Sequence, residues 1–347
     1  MINVGICCDQ FGNLQRGGAE VQVEKTVEFL NKTGKINVQY INQFSNSLEE
    51  FDLVHFFKSS IEYYPLAAAL RKKGIPYGVS TIIFPLHYWR TVYKFRIAGS
   101  MPGMLQKILC PAWQYKLWDG ASKLYPNTDE EALFIQRILP HKKSHIEIVP
   151  NGIDIGEMER TKSNSELFFE KFPQLKDTKF VLNVARIEFR KNQKNLVLAC
   201  RELDLPIVLI GKVWDNNYYR ELQNIGYDKM YYLGPIYDKN ILFSAYSASS
   251  LFCLPSTLET PGIAAIEAAY YKKPIVITKF GGTRFYFSDH ATYVDWRNVK
   301  EIAHAIRQSF DTIVDHNELL QRISWSNIAN IYSASYANIL KKPVERL

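Results

Sequence analysis

The sequence predicts an α/β protein of two domains, each a parallel sheet covered by helices. Short apolar runs alternate with longer segments of helical periodicity along nearly the whole chain, the pattern of strand–helix–strand units. The alternation breaks across residues 155–178 and then restarts. A chain of 347 residues is also long for one core.

The elements follow in order. Residues 2–8 are a short apolar strand. Arg16-Gly-Gly-Ala-Glu20 opens a helix in which Val23, Val27 and Leu30 recur on one face and Glu20, Glu24 and Glu28 on another; Gly34 is its stop. Val38–Ile41 and Leu53–Phe57 are strands, 62–73 is helical, and Tyr77–Ile83 and Lys123–Pro126 continue the sheet. Ile146–Asp154 reads as a strand ending in a Pro-Asn-Gly turn. Beyond the break come Phe180–Val184, Ile207–Ile210, Met230–Leu233, Leu251–Leu254 and Ile275–Thr278, separated by helices. In open parallel sheets ligands bind outside the carboxyl ends of the strands. Two such sheets predict a cleft between domains.

Composition excludes several classes. No apolar run is long enough to span a bilayer. The start, Met1 to Cys8, lacks the basic residues and cleavage site of a signal peptide and reads as a strand. Cys7, Cys8, Cys110, Cys200 and Cys253 sit in apolar contexts without metal-type spacing, which fits reduced thiols in a cytosol. The net charge of +7 is spread along the chain, so it speaks only weakly for phosphate or membrane contacts. No zinc, helix-turn-helix or RNP-type pattern supports nucleic-acid binding. The absent Gly-x-Gly-x-x-Gly fingerprint argues against an NAD oxidoreductase.

The densest signal is Glu259-Thr-Pro-Gly-Ile-Ala-Ala-Ile-Glu267, two carboxylates across the start of an expected helix. Pro261 and Gly262 suit its first turn, where the N–H groups lack intrahelical partners and the dipole favours an anion. Carboxylates only accept, so they suit paired sugar or ribose hydroxyls. Phosphate at the tip with hydroxyls on both sides describes a nucleotide sugar. By themselves the two glutamates read as readily as ordinary helix carboxylates. Arg186, at the end of Asn183-Val-Ala-Arg, and Lys191 beyond it suit a diphosphate, one as a fork and the other as a point charge. Alone they would be a solvated basic loop. Ile210-Gly211, Leu233-Gly234-Pro235 and Gly17-Gly18 are glycine-bearing turns, each a weak signal by itself.

Taken in order, these pieces resemble the GT-B glycosyltransferases, close to the large retaining family numbered 4. The resemblance rests on Gly17-Gly18-Ala19-Glu20, Val149-Pro-Asn-Gly-Ile-Asp154, Arg186 with Lys191, Ser247–Ser256, Glu259 to Glu267, and Gly281-Gly282. It covers nearly the whole chain and is thinnest between about 84 and 120. It implies the GT-B fold: residues 1–155 with about 326–347 as an acceptor-side domain, and 156–325 as the donor-binding domain. The final helix, around Ser326–Leu340, would cross back to the first domain. It implies that Arg186 and Lys191 hold the donor diphosphate and that Glu259 contacts the transferred sugar. Glu267 would bind the ribose, the backbone at Pro261 and Gly262 the phosphate or sugar, Gly18 the diphosphate region, and the loop at Gly234 the base. No cofactor and no metal are implied, and the chain has no Asp-x-Asp.

The departures are specific. Relatives carry a Thr-x-His-Asp run where this chain has Thr81-Ile82-Ile83-Phe84, so the family histidine is absent at Ile83. His87 lies further along, either as a replacement or as a loop histidine without a role. His55 matches a family histidine and reads as structural. Phe285 stands near where relatives have an acid after the glycine pair. Residues 88–118 interleave Trp89, Tyr93, Phe95, Trp113, Tyr115 and Trp118 with Arg90, Lys94, Arg96, Lys107 and Lys116. Such a segment suits either an anionic membrane face or a helical hairpin packed on its domain. Arg90 and His87 are the acceptor-side candidates.

The resemblance predicts a retaining, metal-independent transferase. It would move a sugar from a UDP- or GDP-sugar to a glycan or polyprenyl-linked acceptor, in surface polysaccharide or glycolipid synthesis. It would work in the cytoplasm, at the inner face of the membrane where 88–118 touches it. A GT-B sugar-nucleotide epimerase and a non-catalytic partner subunit of another transferase share the fold.

Overall fold

The computed structural model describes residues 1–8, 18–42, 47–83, 88–100, 112–161 and 163–341. The chain divides into two units, Met1–Gly152 with Trp325–Leu347, and Ile153–Ser324. The exits lie at 152/153 and 324/325, against 155 and 325 in the sequence reading. Gly152 explains one of them: a Cβ there would lie 2.4 Å from the Trp325 ring, so the chain leaving the first unit and the chain returning to it pass in contact.

The first unit comprises β1 (Ile2–Cys7), α1 (Gly18–Lys32), β2 (Ile36–Tyr40), β3 (Leu53–Phe57), α2 (Tyr63–Lys73), β4 (Tyr77–Ser80), α3 (Tyr88–Ser100), α4 (Ala112–Asp119), β5 (Lys123–Tyr125) and α5 (Asp129–Ile138). Its sheet runs β2-β1-β3-β4-β5, parallel at each pairing. The second unit holds α6 (Ile155–Arg160), α7 (Ser165–Lys171), β6 (Val181–Val184), α8 (Gln193–Glu202), β7 (Ile207–Ile210), α9 (Asn216–Gln223), β8 (Met230–Tyr232) and α10 (Lys239–Ala248). It continues with β9 (Leu251–Leu254), α11 (Ile263–Tyr270), β10 (Ile275–Thr278), α12 (Thr283–Phe287), β11 (Thr292–Val294), α13 (Val299–Ser309) and α14 (Asn317–Arg322). Its sheet is β11-β10-β9-β6-β7-β8, also parallel. The last helix, α15 (Trp325–Lys341), belongs to the first unit. Strands β7, β9 and β10 are buried at every residue, as expected for a sheet covered on both faces. No helix among the described residues is long and apolar enough to cross a membrane.

Two expectations need correction. The strand foreseen over 146–154 does not form. Ile146 makes one bridge to Leu124, and the Glu147 and Val149 N–H groups donate to Leu124 and Pro126. The pairing ends at Val149, where the chain enters the Pro150-Asn-Gly turn. Strand β4 stops at Ser80 rather than Ile83. There the buried Glu131 carboxylate takes over, accepting from the Thr81 hydroxyl at 2.5 Å and from the Ile83 and Asn127 N–H groups at 2.8 Å each. Burial pushes this carboxyl up to about 7 against those three donors. The short strand β11 at the sheet edge carries no strong alternation and was not foreseen.

The return of α15 is held by a buried chain of side chains. His55 on β3 is fully buried. Its Nδ1 lies 2.6 Å from the Tyr336 hydroxyl and its Nε2 3.0 Å from Ser80 Oγ, which in turn lies 3.2 Å from the Tyr332 hydroxyl. Tyr125 reaches Ser335 at 2.9 Å, and Ser335 donates to Glu147 at 2.6 Å. Sheet and last helix thus share two polar clusters inside an apolar core. Desolvation holds the His55 imidazole down to about 3, from 6.5. The unfolded chain therefore takes up a proton below about pH 6.5 that the folded chain refuses until about pH 3. Stability from this group is present above pH 6.5 and is lost as pH falls toward 3. Tyr336→Phe is expected to cost about 1–3 kcal/mol by leaving a ring nitrogen unpartnered. His55→Gln is expected to flatten the acid limb of the stability profile. Urea unfolding across pH checks both.

Candidate functional site

Most of the residues singled out from sequence lie at the carboxyl ends of the strands in the second unit. Strand β6 runs out through Ala185 to Arg186. Gly211, after β7, allows that exit: its φ is +150°, and a Cβ there would sit 1.9 Å from the Ala185 carbonyl oxygen. The Tyr232 hydroxyl donates to the Gly211 carbonyl at 2.9 Å. Gln193, at the start of α8, donates to the Arg186 carbonyl at 2.9 Å. The Arg186 guanidinium is half exposed, 4.9 Å from the Trp214 ring centre and 3.3 Å from Glu188 Oε1.

One helical turn, Phe189–Lys191, brings the next cations round. Lys191 Nζ lies 2.5 Å from Glu259 Oε1, and both side chains are nearly buried, 13% and 6% exposed. Arg190 lies between the carboxylates, 3.5 Å from Glu188 and 3.9 Å from Glu259, and donates to the Leu258 carbonyl at 3.1 Å. Three cations and two carboxylates therefore alternate: Arg186, Glu188, Arg190, Glu259, Lys191. Net positive charge remains for an anion. Buried pairs of this kind stand only when each charge keeps its partners.

Glu259 is fixed through its backbone. Its N–H donates to the Phe280 carbonyl at 3.2 Å, and its carbonyl accepts from Gly282 at 3.0 Å. Gly281 has φ +97°, and a Cβ there would lie 2.1 Å from the Glu259 oxygen. The glycine pair marked in the sequence is thus the seat of Glu259. Helix α11 begins at Ile263, not at Pro261. Gly262 is its N-cap, with φ +84° and no capping side chain, and Pro261 lies one residue before the cap. A Cβ on Gly262 would lie 3.7 Å from Glu259 Cβ, so the start of α11 adjoins Glu259, and the helix dipole adds roughly half a positive charge there.

Glu267 lies one turn into α11. Its Oε2 accepts from the Tyr246 hydroxyl on α10 at 2.6 Å. Burial pushes this carboxyl up to about 7, opposed by the Tyr246 hydrogen bond and by Lys239. Gly234 has φ +72° with nothing near its absent Cβ, and its carbonyl accepts from Gly211 at 3.0 Å, tying the loop after β8 to the β7 exit.

The structure therefore brings Arg186, Lys191, Glu259, Pro261, Gly262, Glu267 and Gly234 into one unit. Gly18, which opens α1, and Arg90 on α3 belong to the other. His87, Phe84 and Gly17 lie outside the described residues. Within 88–118, residues 101–111, with Lys107 and Cys110, lie outside the described residues, and the rest divide in two. Val92, Phe95 and Trp118 are buried, the last two stacked at 5.3 Å, while Trp89 and Tyr93 are each 68% exposed beside exposed Arg90 and Lys94. Arg137 of α5 sits 4.6 Å over the Trp89 ring. Sequence reasoning missed Tyr246 and Trp214 as neighbours of the charged groups. Each is an aromatic residue in an ordinary helical or loop context, with no spacing signal.

This site belongs to a known class of protein. A model of the family "glycosyl transferases group 1" matches residues 164–337, and the chain belongs to that family. Among curated proteins it is similar to the D-inositol 3-phosphate glycosyltransferase of Pseudarthrobacter chlorophenolicus, 25% identical over 67% of this chain and 60% of that protein. The enzyme of the same name from Mycolicibacterium smegmatis is 25% identical over 64% of this chain and 54% of that protein. The match thus spans little more than half the length of these relatives. Among solved structures, Anabaena HepE in complex with UDP and glucose superposes with a TM-score of 0.70 at 20% identity, covering 97% of this chain and all of that one (100%). Sucrose-phosphate synthase of Thermosynechococcus elongatus gives 0.72 at 16%, covering 98% and 100%. These likenesses, with the two parallel-sheet units, define the fold as GT-B.

The contrast among the glycines is testable. Gly234→Ala should cost only the left-handed backbone penalty, about 1–2 kcal/mol. Gly281→Ala and Gly211→Ala should cost clearly more, because the added methyl meets a carbonyl oxygen at 2.1 and 1.9 Å. Urea unfolding of the three variants separates the two classes.

Proposed function

We propose that this chain is a retaining glycosyltransferase that takes a sugar from a nucleoside-diphosphate sugar without a metal. The observation that carries the reading is the alternation of Arg186, Arg190 and Lys191 with Glu188 and Glu259, with Gly262 at the start of α11 beside Glu259 and Glu267 one turn beyond. Arg186 and Lys191 hold the diphosphate. Glu267 accepts from the ribose hydroxyls, and the Gly234 loop lies by the base. As the glycosidic bond lengthens, charge grows on the leaving phosphate where the cations and the helix N-terminus already point. That arrangement supplies the positive charge a metal would otherwise bring. Glu259, held by Lys191 and by the Gly281-Gly282 turn, contacts the sugar through its remaining acceptor capacity. The departing phosphate oxygen takes the acceptor proton, on the same face of the sugar, which gives retention. UDP and glucose in the Anabaena HepE complex support this class of donor.

For the acceptor we infer a glycan or polyprenyl-linked glycan, in surface polysaccharide or glycolipid assembly at the cytoplasmic face of a membrane. The exposed Trp89 and Tyr93 of α3, set among Arg90, Lys94 and Arg137, support contact with an anionic bilayer. Arg90 is assigned to the acceptor side and Gly18 to the donor diphosphate.

Calorimetry with UDP, GDP and ADP tests the donor site. One nucleotide should bind selectively and equally well with and without a chelator. Arg186→Ala should weaken it at least tenfold, by about 1.5–3 kcal/mol for a lost charge-assisted contact. Glu259→Gln should keep nucleotide binding and lose transfer. A folded wild type that binds none of the three would remove the donor-site assignment.

A further inference from the structure

Glu267 does not stand alone in α11. Its carboxylate lies against α10, where the Tyr246 side chain is fully buried and its hydroxyl donates to Oε2 at 2.6 Å. The Tyr246 ring is itself locked. It stacks parallel on Tyr271, centroids 6.0 Å apart at 4°, and tilts against Phe252 of β9 at 5.8 Å. The Tyr271 hydroxyl pairs with Ser163 at 2.8 Å. A side chain packed on two sides and hydrogen-bonded at its tip has one rotamer. The group it holds inherits that orientation.

The charge environment makes this hold consequential. The groups that act on Glu267 are Tyr246, Lys239, which pairs with Glu157, and Glu157 itself. Lys239 and the Tyr246 hydrogen bond favour the ionised carboxylate; desolvation and Glu157 oppose it. A protonated carboxyl has lost part of its acceptor capacity, whereas a vicinal diol brings two donors.

We infer that Tyr246 is a positioning residue for the ribose: by occupying Oε2 of Glu267 it fixes the carboxylate so that Oε1 is presented to a vicinal diol. This rests on the reading of Glu267 given above. Tyr246 touches no ligand in this role; it acts through Glu267 alone. A merely structural tyrosine would affect every nucleotide alike. A positioning tyrosine affects only those that carry ribose hydroxyls.

The test compares the tightest-binding of UDP, GDP and ADP with its 2′,3′-dideoxy counterpart, by calorimetry, on wild type, Tyr246→Phe and Glu267→Ala. Tyr246→Phe keeps the ring in its stack and removes only the hydroxyl. It should weaken the ribonucleotide about 5–10-fold, the worth of one hydrogen bond, and leave the dideoxy nucleotide within about twofold of wild type. Across pH, ribonucleotide affinity should fall as acid protonates Glu267, and the fall should begin at higher pH in Tyr246→Phe. Glu267→Ala should abolish discrimination between the two nucleotides. Equal weakening of both nucleotides by Tyr246→Phe, or an unmoved pH profile, overturns the positioning role and leaves the ribose reading of Glu267 standing. Discrimination that survives Glu267→Ala overturns the ribose reading itself, and the inference with it.

Discussion

A carboxylate that cannot be left alone organises the second unit. Glu259 is almost fully buried, and an isolated charge there would be intolerable. Lys191 meets it directly and Arg190 more distantly, while Glu188 links Arg190 to Arg186. Each cation is therefore held in place by an acid, and each acid is tolerated because of a cation. The five charges are paired with one another before any ligand arrives. Under the proposed function such pairing means that little need reorganise as charge develops during reaction.

The backbone beneath those charges depends on missing side chains. Gly281 leaves room for the Glu259 carbonyl and Gly211 for that of Ala185. Both sit where a strand leaves the sheet, so the site is set by how closely adjacent strand exits can approach. Gly262 serves the same end by capping α11 without a side chain that would occupy its N–H groups. The first unit solves a different problem. Its final helix must return to a sheet made from the other end of the chain, and it does so through hydroxyls that meet His55 and Ser80 inside an apolar core. Buried polar groups there act as registry marks, since a slipped helix would leave each of them unpaired.

Much of this was legible in the sequence. Strands such as Ile207–Ile210, Leu251–Leu254 and Ile275–Thr278 coincide with their apolar runs, because a strand buried on both faces must be apolar throughout. Of the seven second-unit residues chosen from the sequence, six lie between a strand and the helix that follows it, and Glu267 lies one turn into α11. Where the reading failed, the cause was local chemistry. The Pro150-Asn-Gly turn ended the pairing after Val149, Glu131 captured the backbone beyond Ser80, and α11 begins at Ile263, capped by Gly262, rather than at Pro261. Tyr246 and Trp214 were out of reach, since an aromatic residue in an ordinary helix or loop leaves no spacing signal.

The sequence by itself determined the class of fold, the family and the identity of the charged groups, because periodicity and motif order are properties of the chain. Only the tertiary structure decided which charges meet. Lys191 and Glu259 are 68 positions apart, and Tyr246 and Glu267 are 21 apart on different helices. Distances of that kind are set by the close packing of strand exits and helices, where a methyl group more or less at a glycine changes what can touch. No pattern in the chain records those contacts, because they are made by packing across the sheet and not along the backbone.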